Sequence, residues 1–497
     1  MMQGGGMRLS KSTFLAWQKC PHNAWYRVND RALFDAFVDP KAEALFAVGN
    51  EIDALARQTF PGGLLLGRGK TGETRAAIER REPVIFQGEF IIDSCVVLCD
   101  VLVWNAEAEA YDLIEVKSST SSSTRRDEEY ALDLAFQEHV LRACGVPVGG
   151  TYLMRPNSDY VRRGAIDIAQ LFARADFGDA VSQVRSGIPL LVDEAWRWVN
   201  IKTPPKGPFP CVRASRGNHC EMFAHINPGI PDYSVHDIAR INGRKLEALI
   251  DAGILHVADV PDDIALSDKQ MTQVRVAKTG KPEIDRSGIA AFMNSITLPA
   301  AFLDFETHNP ALPRFDGYRP YQQIPFQFSL HVLDQWTSEP THHEFLHLKR
   351  SEPDRRFMDA LQTVMPQTGA VIVWNKAFER SRLAEIAARH AEYSAFVDDV
   401  AARLVDLADI FSQQLYAHPE FRGSYSVKAI LPVLVPDLSY ERLAIRNGAG
   451  AQIEWNNIVT GAYDETTAAE TATALRAYCK LDTRAMVEIA TVLRALG

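Results

Sequence analysis

Alternating apolar and polar stretches predict an N-terminal region that mixes helices and strands. Helices are predicted at 12–28, 42–59 and 128–144. Shorter apolar runs predict strands at 84–90, 96–104, 111–116 and 148–154. We therefore expect an α/β domain over residues 9–200.

A proline-rich stretch at 203–210 marks the end of this region, because proline fixes φ and removes a backbone donor. Residues 201–295 are predicted to form a small helical linker. Within the linker, 241–254 resembles a helix-hairpin-helix, a motif that often presents backbone N–H groups to phosphates. A plain helical connector is the other interpretation of this segment.

A second α/β domain is predicted over 298–497. It opens with a strand at 301–305, continues with strands that include 327–333 and 371–374, and closes on a long helix at 466–496.

Composition restricts the class of protein. Hydrophobic residues make up 46% and charged residues 23% of the 497 residues, which is an ordinary globular balance. The chain has no run of 18 apolar residues, so we expect no membrane partner. The glycine-rich start has no apolar stretch and the seven cysteines are an odd number, so we expect no signal peptide and a reducing cytoplasm. The net charge of −10 argues against general stickiness to nucleic acid, although basic groups can be local.

One candidate site lies on the predicted hairpin of the first domain. Glu115 and Lys117 are two residues apart on a strand, so they share a face, and Asp100 lies on the neighbouring strand. Paired carboxylates bind Mg²⁺ or Mn²⁺, and a lysine beside them can activate water or neutralise a phosphate. Glu51 on the preceding helix can add a ligand, and Gln137 on the following helix can contact metal-bound water. An exposed charged pair is the alternative for Glu115 and Lys117 taken alone.

The ordered set is more specific than its parts. A helix Glu, a strand Asp, Glu-x-Lys and a helix Gln together resemble the PD-(D/E)XK nucleases of the RecB type, including the CRISPR-associated adaptation nuclease. The opening segment 9–21, with Ser-x-Ser before a helix and then Cys-Pro, resembles the same group. The resemblance implies a restriction-endonuclease-like fold over 9–200. It also implies that Glu51, Asp100, Glu115 and Lys117 form the site and that Gln137 supports it.

A second candidate site draws on three segments of the last domain. Each segment carries two polar groups at the spacing of one strand face or one helix face, and the pairs are Asp304 with Glu306, Asn375 with Glu379, and Tyr478 with Asp482. Carboxylates from three segments can converge on a pair of metal ions that activate water and stabilise the leaving oxygen. Taken singly, each pair is also consistent with a surface position.

In this order the three pairs resemble the DEDDy branch of the DnaQ-type, RNase H-like exonucleases. The resemblance implies an RNase H-like fold, with Asp304, Glu306, Glu379 and Asp482 as metal ligands and Tyr478 orienting water. Glu379 departs from the pattern, which has Asp there. The whole chain resembles an uncharacterised bacterial family that fuses a RecB-like nuclease domain to this type of domain, and in that family Glu is usual.

Relatives of the RecB type often carry an iron–sulfur cluster held by one cysteine before the nuclease core and three after it. By that resemblance Cys20, Cys211 and Cys220 are candidate ligands of a 4Fe-4S cluster. His225 is the nearest substitute for the missing fourth cysteine, with His219 as an alternative. A zinc site and free thiols remain as other interpretations.

The sequence therefore predicts a cytoplasmic nuclease that depends on Mg²⁺ or Mn²⁺ and has two nuclease-like sites. Nucleic acid is the expected partner, with DNA preferred to RNA, and exonuclease action is the expected mode. The alternatives are a non-catalytic nucleic-acid-binding protein and an interaction scaffold that uses its acidic surface.

Overall fold

A computed structural model describes residues 7–38, 41–120, 123–204, 206 and 209–496, without the side chains of 41–45 and 210. The glycine-rich start and part of the proline-rich stretch, at 205, 207 and 208, lie outside the described residues. The chain forms two compact units: unit 1 comprises Met1–Ile230 with Ala311–Tyr321, and unit 2 comprises Pro231–Pro310 with Gln322–Gly497. The predicted linker is thus divided, with 201–230 in unit 1 and 231–295 in unit 2.

Unit 1 is a mixed α/β unit. Its strands are β1 (Leu9–Ser10), β2 (Leu64–Leu65), β3 (Val84–Ile91), β4 (Cys95–Asn105), β5 (Ala110–Val116), β6 (Val148–Pro156) and β7 (Phe172–Asp176). Its helices are α1 (Lys11–Lys19), α2 (Pro21–Asn29), α3 (Arg31–Ala36), α4 (Lys41–Ala56), α5 (Thr71–Glu79), α6 (Thr124–Ala143), α7 (Ile168–Leu171), α8 (Gly178–Arg185), α9 (Ile188–Val199) and α10 (Phe223–Ile226).

The strands of unit 1 form one sheet in the order β2-β3-β4-β5-β6-β7, and β1 pairs with the start of β4. β4 and β5 form the predicted antiparallel hairpin, with Val101 opposite Ile114 and Leu102 opposite Leu113. α6 packs across the sheet and contributes Leu134, Phe136 and other apolar side chains to its core. This packing brings one face of α6 over the end of β5.

The helix predicted at 12–28 is two helices in the structure. α1 ends at Cys20, whose φ of −159° and ψ of 110° are extended, and Pro21 opens α2. Proline lacks the N–H that a continuing helix needs but is favoured in a first turn, which explains the break.

Unit 2 is also mixed α/β. Its strands are β8 (Glu283–Ile284), β9 (Ala300–His308), β10 (Ile324–Leu333), β11 (Thr341–Leu346), β12 (Val371–Val373), β13 (Leu404–Asp406) and β14 (Tyr416–Ala417). Its helices are α11 (Gly243–Asp251), α12 (Asp268–Thr279), α13 (Arg286–Ser295), α14 (Asp354–Val364), α15 (Lys376–Arg389), α16 (Ser394–Arg403), α17 (Asp409–Ser412), α18 (Val427–Leu434), α19 (Gly448–Thr460) and α20 (Glu465–Leu496).

The main sheet of unit 2 has the order β11-β10-β9-β12-β13, with β9 at its centre. β9 pairs antiparallel with β10, where Asp304 faces Ser329 across the register, and parallel with β12. Apolar residues on one face of β9, such as Leu303 and Phe305, enter a core with α14, α15 and α16. α20 contacts β9 and β10.

The segment 241–254 contains one helix, α11, and not a two-helix hairpin. Asn242 caps this helix by accepting from the backbone N of Lys245 at 2.9 Å, and Gly253 ends it with a φ of +74°. In the part of the chain that the structure describes, no helix has both the length and the apolar character needed to cross a bilayer.

Candidate functional site

Three carboxylates meet beside the central strand of unit 2. Asp304 and Glu306 lie two residues apart on β9 and share one of its faces. Asp482 projects from α20, and ligand oxygens of Asp304, Glu306 and Asp482 all lie within 4.8 Å of one another. We call these three residues the unit 2 carboxylate cluster. The structure thus brings together two of the three predicted segments at contact distance.

Burial and mutual repulsion oppose ionisation of this cluster. Burial and the charge of Asp482 raise the pKa of Glu306 to about 8. Burial raises the pKa of Asp482 to about 6, and burial with the charge of Asp482 raises the pKa of Asp304 well above its usual range. The three groups can therefore all be ionised near neutral pH only beside a compensating cation.

Glu379, the departure from the DEDDy pattern, lies at the first turn of α15. Its side chain is buried, its Oε2 has no hydrogen-bond partner within the described residues, and burial raises its pKa to about 8. Its charge also raises the pKa of Asp304, so it lies near the unit 2 carboxylate cluster. Glu379 is nevertheless not one of the residues whose ligand oxygens lie within 4.8 Å of one another, which are Asp304, Glu306 and Asp482.

Two tyrosines and a lysine surround Asp482. Tyr440 donates its hydroxyl to Asp482 Oδ1 at 2.5 Å, and the predicted Tyr478 also hydrogen-bonds to Asp482. Lys428 Nζ donates to Tyr478 Oη at 3.4 Å. It lies 5.2 Å from the ring centroid of Tyr440 and 5.2 Å from that of Tyr478. The sequence analysis missed Tyr440 and Lys428. Lys428 interrupts the apolar helix α18, which is a signal that the sequence contains, whereas nothing in the sequence singles out Tyr440.

Asn375, the other predicted residue of the second segment, precedes α15 and lines a cleft of about 1020 Å³. The same cleft is lined by Arg240, Lys269, Trp374 and Tyr425. Its walls therefore offer two cationic side chains, two aromatic rings and the carboxylates of Asp406 and Asp409 beside the start of α15.

In unit 1, the register of β4 and β5 brings Asp100 beside Glu115. Both lie one position beyond the pair Val101 and Ile114, and Asp100 Oδ2 accepts from the backbone N of Val116 at 2.9 Å. Burial and the charge of Glu115 raise the pKa of Asp100 to about 7. The predicted pairing of these two carboxylates on neighbouring strands is therefore present.

Every lone pair of the buried Glu115 carboxylate is engaged. Oε1 accepts from Lys117 Nζ at 2.6 Å and from Lys11 Nζ at 2.7 Å. Oε2 accepts from Gln137 Nε2 at 2.7 Å and from Lys11 Nζ at 2.9 Å. Lys117 and Gln137 also donate to Asp133, at 2.7 and 2.9 Å. The predicted Lys117 and Gln137 thus lie at Glu115, together with Lys11 and Asp133, which the sequence analysis missed.

Burial lowers the pKa of Lys11, but the charges of Asp133 and Glu115 outweigh it and raise that pKa well above its usual range. A signal for Asp133 was present in the sequence, since it lies four residues before Gln137 on an otherwise apolar helix face. Lys11 gave no comparable signal, because its partner is 104 residues away.

Glu51 does not occupy the predicted ligand position. Its side chain is exposed, and the carboxylate of α4 that approaches Asp100 is Asp53, two residues along the helix. Gln87 Nε2 donates to both Asp53 and Asp100, at 3.4 and 3.2 Å. The physical reason is the helical period, because two residues turn a side chain to a different face.

Three of the candidate cluster ligands converge. The thiols of Cys20, Cys211 and Cys220 hydrogen-bond one another inside an apolar cluster. Hydrogen bonds from Cys20 and Cys220 lower the pKa of Cys211, while the same hydrogen bonds raise the pKa of Cys20 to about 11 and that of Cys220 well above its usual range. The predicted fourth ligand, His225, is exposed, with its ring 5.1 Å from Tyr26 and 5.8 Å from Phe37.

Other imidazoles lie in the same region. His219 stacks on Phe223 at 3.4 Å, and its Nε2 lies 2.9 Å from the carbonyl oxygen of Ala214. The buried His22, which the sequence analysis did not consider, acts electrostatically on Cys211. The three thiols are of the kind that a soft metal centre uses, and His225 is not among the groups described as hydrogen-bonding them.

The two acidic sites differ in how well they fit a divalent ion. The unit 2 carboxylate cluster offers hard oxygen ligands, and the neighbouring Glu379 has a buried oxygen without a described partner, so these residues fit Mg²⁺ or Mn²⁺. In unit 1 the carboxylate of Glu115 is already saturated by two ammonium groups and an amide. In this arrangement Glu115 does not fit a metal ion.

Residues 301–426 match a domain of unknown function, DUF2779. The chain is 31% identical to the uncharacterized protein MG366 homolog of Mycoplasma pneumoniae, over 38% of this chain and 31% of that protein. It is 25% identical to the uncharacterized protein UU173 of Ureaplasma parvum, over 52% of this chain and 40% of that protein. The chain thus matches well under half the length of these relatives. The chain is thus similar to uncharacterised proteins and contains a match to a domain of unknown function.

Proposed function

We propose that the protein is a metal-dependent nuclease and that the unit 2 carboxylate cluster is its main catalytic site. The observation that carries the proposal is the convergence of Asp304, Glu306 and Asp482 within 4.8 Å, with Asp304 partly buried and the other two buried. No ammonium group donates a described hydrogen bond to these carboxylates, so the site favours a divalent cation. This conclusion rests on the chemistry of the donor set and on its resemblance to DEDDy exonucleases.

A divalent ion at this site would lower the pKa of bound water and stabilise the charge that develops on the phosphate. Asp304, Glu306 and Asp482 would hold this ion, and Glu379 would contribute to the binding of a second ion. Tyr478 hydrogen-bonds to Asp482, and from that position its hydroxyl would orient the attacking water. Lys428, next to Tyr478, adds positive charge on the side where a phosphate would lie.

The cleft of about 1020 Å³ beside Asn375 supports a nucleic-acid substrate. Arg240 and Lys269 supply charge for phosphates, and Trp374 and Tyr425 supply rings on which bases can stack. We expect a DNA strand to be held here in preference to RNA, with removal of nucleotides from an end.

The finer fold assignments belong to the same proposal. A mixed five-stranded sheet with the acidic strand at its centre supports an RNase H-like fold for unit 2. The hairpin that carries Asp100, Glu115 and Lys117, followed by α6 with Gln137, supports a RecB-like PD-(D/E)XK fold for unit 1. We propose that unit 1 holds a second nuclease-like site. We also propose that the protein is located in the cytoplasm.

The alternative for unit 1 is a nucleic-acid-binding fold without catalysis. The saturation of Glu115 by Lys11, Lys117 and Gln137 favours this alternative, because a closed set of hydrogen bonds leaves no position for a metal ion. The acidic interaction scaffold has no comparable observation in its favour.

The test is metal-dependent cleavage of end-labelled single-stranded and duplex DNA and RNA. Wild type with Mn²⁺ is expected to shorten the strands stepwise, and Asp304→Asn and Asp482→Asn are each expected to remove that ladder. Asp334→Asn, which changes an exposed carboxylate of unit 2, is the matched control and should keep it. Cleavage that survives in both Asp304→Asn and Asp482→Asn would exclude the cluster as the catalytic site.

The same assay tests unit 1 separately. Lys117→Ala is expected to remove a distinct set of products and to leave the ladder from unit 2. If the protein binds the strand but no cleavage product is lost in Lys117→Ala with any of several metal ions, the result would favour the binding alternative for unit 1.

We also propose that Cys20, Cys211 and Cys220 hold a thiolate-bound centre, an iron–sulfur cluster or zinc. The convergence of the three thiols supports this, because thiolates are the ligands of such centres. Anaerobically purified protein should absorb at about 400 nm if iron–sulfur is bound. Metal analysis of wild type and Cys211→Ser distinguishes zinc from free thiols.

A further inference from the structure

We propose that Gly448 is a specificity-determining residue of the unit 2 site. It leaves room beside the Glu306 carboxylate for the sugar–phosphate backbone of a nucleic-acid strand. Lys428 and the exposed Arg446 supply positive charge to the same space. This inference rests on the proposed nuclease function of unit 2, and it names the part of the chain over which the strand passes.

Gly448 is the first residue of α19 and lies close to the unit 2 carboxylate cluster. A Cβ built on Gly448 would lie 3.5 Å from Glu306 Oε2. Apart from the neighbouring residues and the backbone of α19 itself, this oxygen is the only described heavy atom within 4 Å of that Cβ position. Gly448 is itself half-buried. It therefore borders an open space at the Glu306 carboxylate.

Backbone conformation does not explain the glycine at this position. Neither Gly448 nor Gly450 has a positive φ, so other residues can adopt the same conformation. Glycine is also among the weakest helix formers, because it loses the most conformational freedom on folding. Two glycines in the first turn of α19 thus need another reason. At Gly448 the open space beside Glu306 supplies one, since a side chain would occupy it.

The helix α19 is anchored to the sheet that carries the carboxylate cluster. Trp455 of α19 is fully buried and stacks on Phe326 of β10, with the ring centroids 4.6 Å apart. Gln452 Oε1 accepts from the backbone N of Asn309, directly after β9, at 3.2 Å. These contacts oppose a shift of α19 away from the sheet. A side chain added at Gly448 would therefore project into the open space.

Positive charge faces this space from α18. Lys428 Nζ donates to Arg446 O at 2.7 Å, which places the ammonium group beside the residues that lead into Gly448. Burial raises the pKa of Glu306, and the charge of Lys428 opposes that rise, so the ammonium group also acts on the carboxylate beside Gly448. Because the phosphates of a strand are anionic, these cations favour a strand backbone in this space over an apolar ligand.

The test compares cleavage of a strand with cleavage of a small phosphodiester by the full chain in Mn²⁺. The strand is an end-labelled single-stranded oligodeoxynucleotide. The small substrate is the p-nitrophenyl ester of thymidine 5′-monophosphate, which is too short to extend along α19. Gly448→Val is expected to lower kcat/KM on the strand by about 100-fold, because a displacement of about 1 Å has an effect of that size. Gly448→Ala should give a smaller loss, and both variants should cleave the small ester as wild type does.

Gly450→Ala is the matched control. Gly450 lies in the same turn of α19, but the nearest heavy atom to its built Cβ is Asn447 Oδ1, at 3.6 Å, and no carboxylate lies within 4 Å. This variant should cleave the strand as wild type does. Mn²⁺ affinity, measured by electron paramagnetic resonance, should be unchanged in all three variants, since no carboxylate is altered. Thermal unfolding of each variant checks that it is folded.

A second measurement uses wild-type protein and needs no substitution. Hydrogen exchange of residues 446–450 is followed with and without the single strand, in EDTA to prevent cleavage. The first backbone N–H groups of a helix have no intrahelical acceptor and exchange readily unless they are covered. The strand should slow exchange at 446–450 and leave α16 unchanged, because α16 packs on the other face of the sheet. Unchanged exchange at 446–450 when strand binding is saturated overturns the proposal.

The outcomes separate this inference from the proposed function. Equal loss of strand and small-ester cleavage in Gly448→Val overturns the inference, because the substitution then acts on the reacting groups and not on the path of the strand. Wild-type strand cleavage in Gly448→Val also overturns it and leaves the nuclease function in place. If wild-type protein cleaves neither substrate, the proposed function fails, and the inference that rests on it fails as well.

Discussion

Glu306 and Asp482 are carboxylates whose charged forms are opposed by their own surroundings. Their pKa values, about 8 and about 6, lie well above those of free carboxyl groups, which are about 4. At pH values between about 4 and about 8, these carboxylates therefore bind more protons in the folded protein than in the unfolded chain. Without metal, the contribution of these carboxylates to the free energy of unfolding should fall as pH rises from about 4 to about 8.

Thermal unfolding of metal-free protein across this pH range measures the slope. Saturating Mn²⁺ should flatten it, since a bound cation favours the ionised carboxylates in the folded state. Asp304→Asn should also reduce the slope, because it removes one group whose pKa is raised by burial. An equal slope in wild type and in Asp304→Asn would contradict the electrostatics described for this site.

Glu379 tests whether the longer side chain is required at its position. The carboxylate is buried at the first turn of α15, so its reach is fixed by the helix. Glu379→Asp restores the residue of the DEDDy pattern but shortens the side chain by one methylene. We expect cleavage by unit 2 to fall by about 100-fold, since a misplacement of about 1 Å has an effect of that size. Unchanged cleavage, measured as kcat on a labelled strand, would show that Glu379 is not held at a distance that matters.

At the scale of elements, the entry to β12 depends on one glycine. Gly369 has a φ of +88°, and a Cβ built there would lie 1.9 Å from the backbone oxygen of Pro299, just before β9. The neighbouring Ala370 donates to Thr297 O and accepts from Ala301 N, so the backbone here cannot shift freely. Gly369→Ala should therefore lower the free energy of unfolding by more than about 3 kcal/mol.

Gly461→Ala is the matched control for this substitution. Gly461 also has a positive φ, +77°, but no heavy atom lies within 4 Å of its built Cβ. Gly461→Ala should lower the free energy of unfolding by about 1 kcal/mol, which is the penalty for a positive φ without a steric clash. Chemical denaturation of the two variants separates these contributions, and equal losses would exclude a steric role for Pro299.

The elements that the sequence predicted well are those with a local signal. The strands at 84–90, 96–104 and 111–116 and the long helix at 466–496 lie within a few residues of their observed bounds. The pairing of Asp100 with Glu115 followed from a hairpin, which is a local structure. The break at Cys20 was missed, although Pro21 carried the signal for it.

The residues that were missed depend on long-range packing. Lys11 reaches Glu115 only because β1 pairs with β4, and Tyr440 reaches Asp482 across 42 residues of sequence. The prediction of Glu51 did not consider Asp53, because the pattern predicted the helix but not its rotation about its axis. Spacing predicts which residues share a face of one element, whereas contacts between elements require the packed fold.

At the scale of the whole molecule, the net charge constrains how the proposed nucleic-acid substrate would be held. A net charge of −10 repels a polyanion, so binding has to depend on local positive charge. The cleft beside Asn375 offers Arg240 and Lys269, and Lys269 is anchored by a hydrogen bond to Ser412 O at 2.8 Å. These two cations should therefore account for much of the salt dependence of strand binding by unit 2.

The double variant Arg240→Ala with Lys269→Ala tests this expectation, by titration of a labelled single strand at several salt concentrations. The slope of log affinity against log salt should decrease by about 0.7 for each lost phosphate contact, since fewer counterions are released. Lys281→Ala with Lys349→Ala removes the same charge from exposed positions of unit 2 and is the control for net charge. If both double variants change the slope equally, the overall electrostatic field of the protein governs binding, and the cleft does not. If only the cleft variant changes it, the strand lies where the aromatic and cationic walls meet, beside the start of α15.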